Sequence, residues 1–364
     1  MRFPRSCGTL VHPTSFPGKY GIGDFGYEAR KFLDFLEDTQ QSIWQVLPLT
    51  PTGYGNSPYA SYSAFAGNPY LISPGILFEK GLLTASEARS LIIPSTTAVA
   101  YQQVVEKKSI ALKLASNSFY KTLVGDEEEK FELFKLEHAH WLDDYVLFMA
   151  VAKSHQMRPW NSWDSDIATH KKAAIDKAKK NYAQEIKLEY WLQYEFLNQW
   201  IALKEYANTR GVRIIGDIPI FVDHNSADVW ANSKYFAVDK QGNRTLVSGV
   251  PPDYFSETGQ LWGNPQYQWE ALEKDGYSWW VKRFKHMFLT CDAIRVDHFR
   301  GFDAYWEIPA SEKTAENGRW VKGPGEKFFE ELNSNEEFVI NSSNNSDLAI
   351  DATQLSVENI GIPA

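Results

Sequence analysis

Two short segments each end an apolar run on a carboxylate. They are Val212-Arg213-Ile214-Ile215-Gly216-Asp217 and Ala293-Ile294-Arg295-Val296-Asp297-His298. β-Branched runs of this length predict buried strands, with Asp217 and Asp297 at their C-terminal ends. Residues two apart on a strand share a face, so Arg295 and Asp297 point the same way. A guanidinium beside a carboxylate keeps it ionised and holds its rotamer. An ionised, oriented carboxylate is what attack on a sugar's anomeric carbon requires. An Arg–Asp pair that merely braces a sheet rim has the same spelling, and both readings stand at this level.

The segment GVPPDYFSETGQLWGNP (249–265) adds Asp253, Gln260, Trp262 and Asn264. Its two prolines stiffen the start, and the pattern predicts an irregular loop. Trp262 there is either a packing anchor or a platform for a sugar ring. Aromatic residues make up 15 % of the chain, with 13 Trp, 18 Tyr and 22 Phe. Trp and Tyr pair a flat apolar face with a polar handle, which suits a sugar, although a ring-rich core also uses them.

The elements that must position these residues read as an α/β chain. Short apolar strands that end in acidic residues and alternate with helices predict a parallel sheet. In a (β/α)8 barrel the chemistry sits at the C-terminal strand ends. GTLVHPTSFPGKYGIGDFG (8–26) is a structured loop, followed by a helix with Phe32, Leu33 and Leu36 on one side. Ile43 to Leu49 fits a buried strand, 51–69 a second loop, and Tyr70-Leu71-Ile72 a short strand. Between about 76 and 210 the period is helical. One stripe is Phe131, Phe134, Trp141, Leu142, Tyr145, Phe148 and Met149; another is Ile186, Tyr190, Tyr194, Leu197 and Ile201. Gly211 stops the last helix. The division is a barrel start with binding loops over 1–75, a mainly helical insertion over 76–210, and the barrel's continuation with an Asn/Ser-rich tail over 211–364.

Composition removes several classes. With 37 basic and 46 acidic residues the net charge is −9, which argues against nucleic acid. Two cysteines, Cys7 and Cys291, are expected to make neither a disulfide framework nor a four-ligand structural zinc site, so a reduced, cytoplasmic protein is expected. No apolar run is long enough for a bilayer or a signal peptide. His138 and His140, two apart in a helical segment, cannot face one ligand. Asp223-His224 is only a dipeptide. There is no G-x-S-x-G elbow, no P-loop and no His/Cys/Asp cluster that suggests a metal.

Taken in order, GTLVHPTSFPGKYGIGDFG, WQVLPLTPTGYGNSPYASYSAFAGNPYLI, GDIPIFVDHNSADVW, GVPPDYFSETGQLWGNP, AIRVDHFRGFDAYWEIPA and GRWVKGPG resemble the amylomaltases. These are 4-α-glucanotransferases, or disproportionating enzymes, of the α-amylase clan, and the resemblance covers roughly 3–332. It implies a (β/α)8 TIM barrel with helical insertions and a retaining transfer between maltooligosaccharides or other α-1,4-glucans. Carried over by motif, Asp297 is the nucleophile, Arg295 its partner and Asp217 the aspartate that supports the same subsite. His298 contacts the sugar at the cleavage point. Asp253, Gln260 and Trp262 lie over the glucan, and Ser57 and Tyr59 belong to the facing loop.

The sequence departs from the family pattern in two places. A retaining mechanism needs a second carboxylic acid about 5–5.5 Å from the nucleophile. The family carries it in an Ala-Glu-Asp-Leu-Gly motif after the next strand. Here the strand candidate Phe338-Val339-Ile340 is followed by Asn341-Ser342-Ser343-Asn344-Asn345, and Glu336, Glu337 and Glu358 are out of register. The acid/base glutamate is therefore not found. The sequence also stops where the family continues into further strands, so a C-terminally incomplete barrel with about five of eight strands is expected. A catalytically impaired glucan-binding relative is the alternative reading.

Overall fold

Four short strands pair in parallel in the order in which the chain makes them. The computed structural model describes residues 5–94 and 98–334. The strands are β1 (Gly8–Leu10), β2 (Ile43–Gln45), β3 (Arg213–Pro219) and, fourth in the sheet, Ala293–Asp297. Trp44 stands opposite Thr9 and Ile214, and Asp217 stands opposite Arg295. Because side chains alternate, one face of this sheet is Trp44, Ile214 and Ile218, all buried against helices. The other face carries Gln45, Asp217, Arg295 and Asp297. This is the βα arrangement expected from the sequence, in which apolar strand residues face the helices and polar ones face the axis. The strand candidate Phe338-Val339-Ile340, the Asn/Ser-rich tail around it and the position expected for the acid/base glutamate lie outside the described residues.

The helices that cover the outer face follow the 3.6-residue period. Helix α1 (Tyr27–Asp38) buries Ala29, Leu33 and Leu36 at spacings of four and three. Helix α2 spans Tyr101–Thr122, and α3 spans Asp126–Ser154 with the predicted stripe from Phe131 to Met149 buried. In α4 (Ala183–Asn208) the stripe lies differently. Tyr194 is buried as expected, but Ile186, Tyr190, Leu197 and Ile201 are only half-buried. Trp191, Leu192, Phe196 and Trp200 go deepest instead, because α4 is packed by α1, α2 and α3 as well as by β3. Gly211, with φ +71°, ends this helix in the left-handed region that its lack of Cβ permits.

A second sheet is antiparallel. It consists of β4 (Leu246–Val250), β5 (Gln260–Pro265), β7 (Ala304–Pro309) and β8 (Arg319–Lys322), ordered β5-β4-β7-β8; Ala293–Asp297, the fourth strand of the parallel sheet, is β6. Trp262 therefore sits on a strand, which corrects the irregular loop expected for this segment. Gly249 makes the pairing possible, since a Cβ there would lie 2.2 Å from the Gln260 carbonyl oxygen. Gly263, at φ +80°, bends β5 beyond the tryptophan.

Two other expectations are corrected. Tyr70-Leu71-Ile72 is not a strand: Pro69–Leu71 is a 3-10 turn. Pro69 lacks a ladder donor, and the Asn68 side chain caps the turn by accepting from the Tyr70 N–H. Regular pairing of the second strand ends at Gln45 instead of Leu49, because Pro48 breaks the ladder beyond it.

The aromatic excess is chiefly a property of the core. Nine of the 13 tryptophans are buried, among them Trp44, Trp191, Trp200, Trp230 and Trp280. Trp44 meets Trp200 edge-on at 5.7 Å, and Trp279 meets Trp280 at 5.3 Å. Truncating any of these would cost roughly 3–5 kcal/mol. Only Trp262 and Trp320 are more than a third exposed, at 39 % and 43 %. Among the described residues, no helix is long and apolar enough to cross a membrane.

Candidate active site

The strand register brings two carboxylates to one guanidinium. Asp217 of β3 faces Arg295 of β6, and Pro219 faces Asp297. Arg295 Nη1 donates to Asp217 Oδ1 at 2.7 Å, and Nη2 donates to Asp297 Oδ1 at 2.5 Å. The Tyr59 hydroxyl closes the row by donating to Asp217 Oδ2 at 2.6 Å. Four sequence-predicted residues thus form one continuous hydrogen-bond chain, Tyr59–Asp217–Arg295–Asp297.

The two carboxylates differ in exposure. The Asp217 side chain is closed to solvent, whereas that of Asp297 is 38 % exposed. Burial raises the pKa of Asp217 against the lowering effect of Tyr59 and Arg295. Burial also pushes Tyr59 up to about 12, and its bond to Asp217 adds to this, so the phenol remains a donor. Burial works against the Arg295 charge, but the two aspartates outweigh it and hold its pKa above the ordinary value. The guanidinium stays charged at any working pH. Asp297 is the accessible end of the chain, fixed by one charge-assisted bond and open toward solvent.

A second group stands beside Asp297. His298 takes left-handed backbone, φ 54°, which turns its ring away from the strand. Trp262 meets that ring edge-on at 4.9 Å, and Phe221 lies 6.3 Å from both. The Trp262 indole N–H donates to Gln260 Oε1 at 3.1 Å, which sets the ring's attitude on β5. Burial lowers the pKa of His298, and Asp297 only partly counters it, so the imidazole is neutral near pH 7. Its Nε2 is buried with no protein partner, a polar atom left for a ligand hydroxyl. Phe221 escaped the sequence reading. It is spelled like any apolar residue after a strand.

The remaining predicted residues act within their own loops. Asp253 Oδ1 accepts from the Phe255 and Ser256 N–H groups at 2.9 and 2.8 Å, an Asx turn that leaves Tyr254 and Phe255 exposed. Ser57 Oγ accepts from the Tyr59 N–H at 3.2 Å and so shapes the turn that carries the tyrosine. Asn264 donates to the Val222 carbonyl at 3.0 Å and ties β5 to the loop after β3. Beside Asp217 and Tyr59 a cavity of about 60 Å3 opens, walled by Leu49, Pro58, Phe221 and Val222. Cys7 and Cys291 are free, one exposed and one buried. Among the described residues, no group of three or more His, Cys, Asp or Glu side chains is placed to hold a metal ion.

Sequence and structure comparisons agree on one family. A family profile described as 4-alpha-glucanotransferase, glycoside hydrolase family 77, matches residues 11–355. A 4-alpha-glucanotransferase of Thermus thermophilus is 48 % identical over 91 % of this chain and 66 % of its own length. One from Synechocystis is 47 % identical over 90 % and 65 %. The chain thus spans about two thirds of the length of these relatives. Among solved structures, an amylomaltase of Streptococcus agalactiae in complex with acarbose superposes with a TM-score of 0.87 at 36 % identity. That match covers 95 % of this chain and 68 % of the other. Amylomaltase from Corynebacterium glutamicum, 18 % identical with a TM-score of 0.70, shares the fold over 90 % of this chain and 45 % of its own. The chain belongs to the glycoside hydrolase 77 family of 4-alpha-glucanotransferases, with the barrel fold of that family.

Proposed function

We propose that this chain transfers α-1,4-glucan segments between maltooligosaccharides, with Asp297 as nucleophile. The observation that carries the reading is the Tyr59–Asp217–Arg295–Asp297 chain at the C-terminal ends of adjacent parallel strands. An Asp297 oxygen forms a bond to the anomeric carbon as the bond to the 4-oxygen breaks; that oxygen takes up a proton and departs as a 4-hydroxyl, leaving a glucosyl–aspartate. The 4-hydroxyl of a second glucan then bonds to the anomeric carbon and gives up its proton as the carbon–carboxylate bond breaks, so that no net proton is consumed. Arg295 holds the Asp297 carboxylate in place through its Nη2 hydrogen bond. Asp217, held by Tyr59 and Arg295, supports the same subsite from the buried side. The neutral His298 supplies a hydrogen bond to that sugar.

Trp262 offers its exposed face to the ring next along the glucan, with Gln260 fixing the indole. Asp253 and Ser57 order the two loops on either side of the cleft. Excluding water while admitting a second sugar is what turns hydrolysis into transfer. The residues invoked need no metal or organic cofactor. The substrate is a neutral glucan, consistent with an acidic chain of net charge −9, and the proposed compartment is the cytoplasm.

Incubation with maltotriose tests the reading. Glucose and longer glucans are expected from the wild type, and neither from Asp297→Asn. Unchanged products in that variant would reject the nucleophile. A second reading rests on Asn341-Ser342-Ser343-Asn344-Asn345, a sequence that holds no carboxylic acid where the family pattern has its glutamate. A glucan-binding relative without turnover would bind maltoheptaose, lose that affinity in Trp262→Ala, and leave maltotriose unconverted.

A further inference from the structure

Behind the site lie two buried charges that make no direct ion pair and reach no solvent. Helix α5 (Ala227–Ala231) carries Asp228, and α6 (Ser278–Thr290) carries Arg283. They are 5 % and 2 % exposed. A buried ion is costly unless its environment compensates it, so each position calls for an account.

Each charge spends its hydrogen bonds on backbone that leads to the catalytic row. Arg283 Nη2 donates to the Pro219 carbonyl at 2.6 Å, and Nη1 donates to the Ile220 carbonyl at 3.3 Å. Pro219 is the last residue of β3, two beyond Asp217 and opposite Asp297 in register. The Tyr267 hydroxyl donates to the same Ile220 carbonyl at 2.6 Å. Asp228 Oδ2 accepts from the Ala64 N–H at 2.8 Å, five residues beyond Tyr59. Next to it, the Ala227 N–H donates to the Tyr62 carbonyl at 2.9 Å. Asp228 and Arg283 also act on each other electrostatically. One charge therefore grips the strand that carries Asp217, the other grips the loop that carries Tyr59, and their mutual attraction joins the two.

We propose that Asp228 and Arg283 are positioning residues that lock the Tyr59 loop to the end of β3 and thereby set the Tyr59–Asp217 hydrogen bond. The lock works at a distance from the sugar. Arg283 lines the inner wall of the cavity beside Asp217 and Asp228 lies off it, and neither hydrogen-bonds a member of the catalytic row, so both act through where Tyr59 and Asp217 stand. The proposal deepens the glucan-transfer reading and rests on it for its effect on substrate.

The test combines hydrogen exchange of the full chain without sugar and calorimetric titration with maltoheptaose. Asp228→Ala is expected to speed exchange of the Ala64 amide and of 57–62 by about tenfold or more, the loss of one charge-assisted bond. Exchange in α3 should stay within about twofold. Maltoheptaose affinity should fall by a similar factor. Asp228→Asn keeps an accepting oxygen for Ala64 and should restore most of both. Arg283→Lys keeps the charge but cannot span two carbonyls, and should loosen 217–222 without loosening α3. If Asp228→Ala does not fold, Asp228→Asn and Arg283→Lys carry the test, with local loosening expected only in the second. Exchange that rises equally throughout the chain, or no change at 57–64 in Asp228→Ala, would overturn the proposal. Wild type that fails to bind maltoheptaose would count against the glucan reading alone, because the exchange arm contains no sugar.

Discussion

The two walls of the cleft are built in opposite ways. On the β3–β6 side Asp217, Arg295 and Asp297 are fixed by strand register and by a charged neighbour, and Asp217 is closed to solvent. On the β4–β5 side Trp262 is 39 % exposed, and Tyr254 and Phe255 project almost fully into solvent from an Asx turn. The rigid wall holds the groups that must be positioned within tenths of an ångström. Under the proposed transfer, the open wall holds the surfaces along which a long glucan would slide. Positions on the first wall should therefore be sensitive in turnover, and positions on the second in affinity.

The largest effect separating the walls is expected from Asp297→Asn. With Asp297 as the proposed nucleophile, its loss should lower maltotriose disproportionation by about three orders of magnitude or more, with maltoheptaose affinity changed only a few-fold. Arg295→Met comes next. It leaves the closed Asp217 carboxylate without its cation and should cost about 1–3 kcal/mol of stability, discounted because the arginine is 44 % exposed. Chemical denaturation measures this, and a variant as stable as wild type would show that the row is not coupled. Tyr59→Phe removes one hydrogen bond to a carboxylate and should slow turnover by roughly ten- to a hundredfold while the melting temperature moves little. Trp262→Ala tests the other wall. It should weaken maltoheptaose binding by about 1–2 kcal/mol with stability within about 0.5 kcal/mol of wild type, since the ring is already half in water.

A pH series sharpens the same contrast. Burial depresses the pKa values of His12 and His138 to about 4 and of His286 to about 3. These histidines are neutral when folded and titrate near 6.5 when unfolded, so the unfolded chain binds more protons below that value. Their contribution to stability is complete above pH 6.5 and is lost as pH falls toward 4. At pH 5.5 the loss is about 1 kcal/mol for each, or roughly 3 to 4 kcal/mol for the three. Melting curves between pH 7.5 and 5 should show this fall, and His286→Phe should flatten it. Asp228, raised by burial to about 6, works the other way, and its contribution is lost as pH rises through that value. No decline on acidification would contradict the assigned burial of the imidazoles.

The period of a strand made Asp217, Arg295 and Asp297 legible, because alternation alone puts Arg295 and Asp297 on one face. The row's fourth member, Tyr59, came from family likeness: it arrives on a loop whose path no local pattern specifies. Arg283 and Asp228 were invisible for a different reason. An arginine within Lys282-Arg283-Phe284-Lys285 is spelled like a solvated helix face, and only tertiary packing buries it. The aromatic content misled in the opposite direction, since it suits a sugar platform yet most of the tryptophans serve the core. Tyr70–Ile72 was misread because a proline start and an asparagine cap outweigh three strand-prone residues.

The central claim is that Asp297 takes the glucosyl group. Reaction with α-maltotriosyl fluoride tests it most directly, because fluoride departs without a proton donor and the step needs only the nucleophile. Attack breaks the carbon–fluorine bond and joins the anomeric carbon to a carboxylate oxygen. Peptide mass spectrometry should find a maltotriosyl group on the peptide that holds Asp297, and no such adduct in Asp297→Asn. An adduct on another residue, or an undiminished adduct in the variant, would contradict the account.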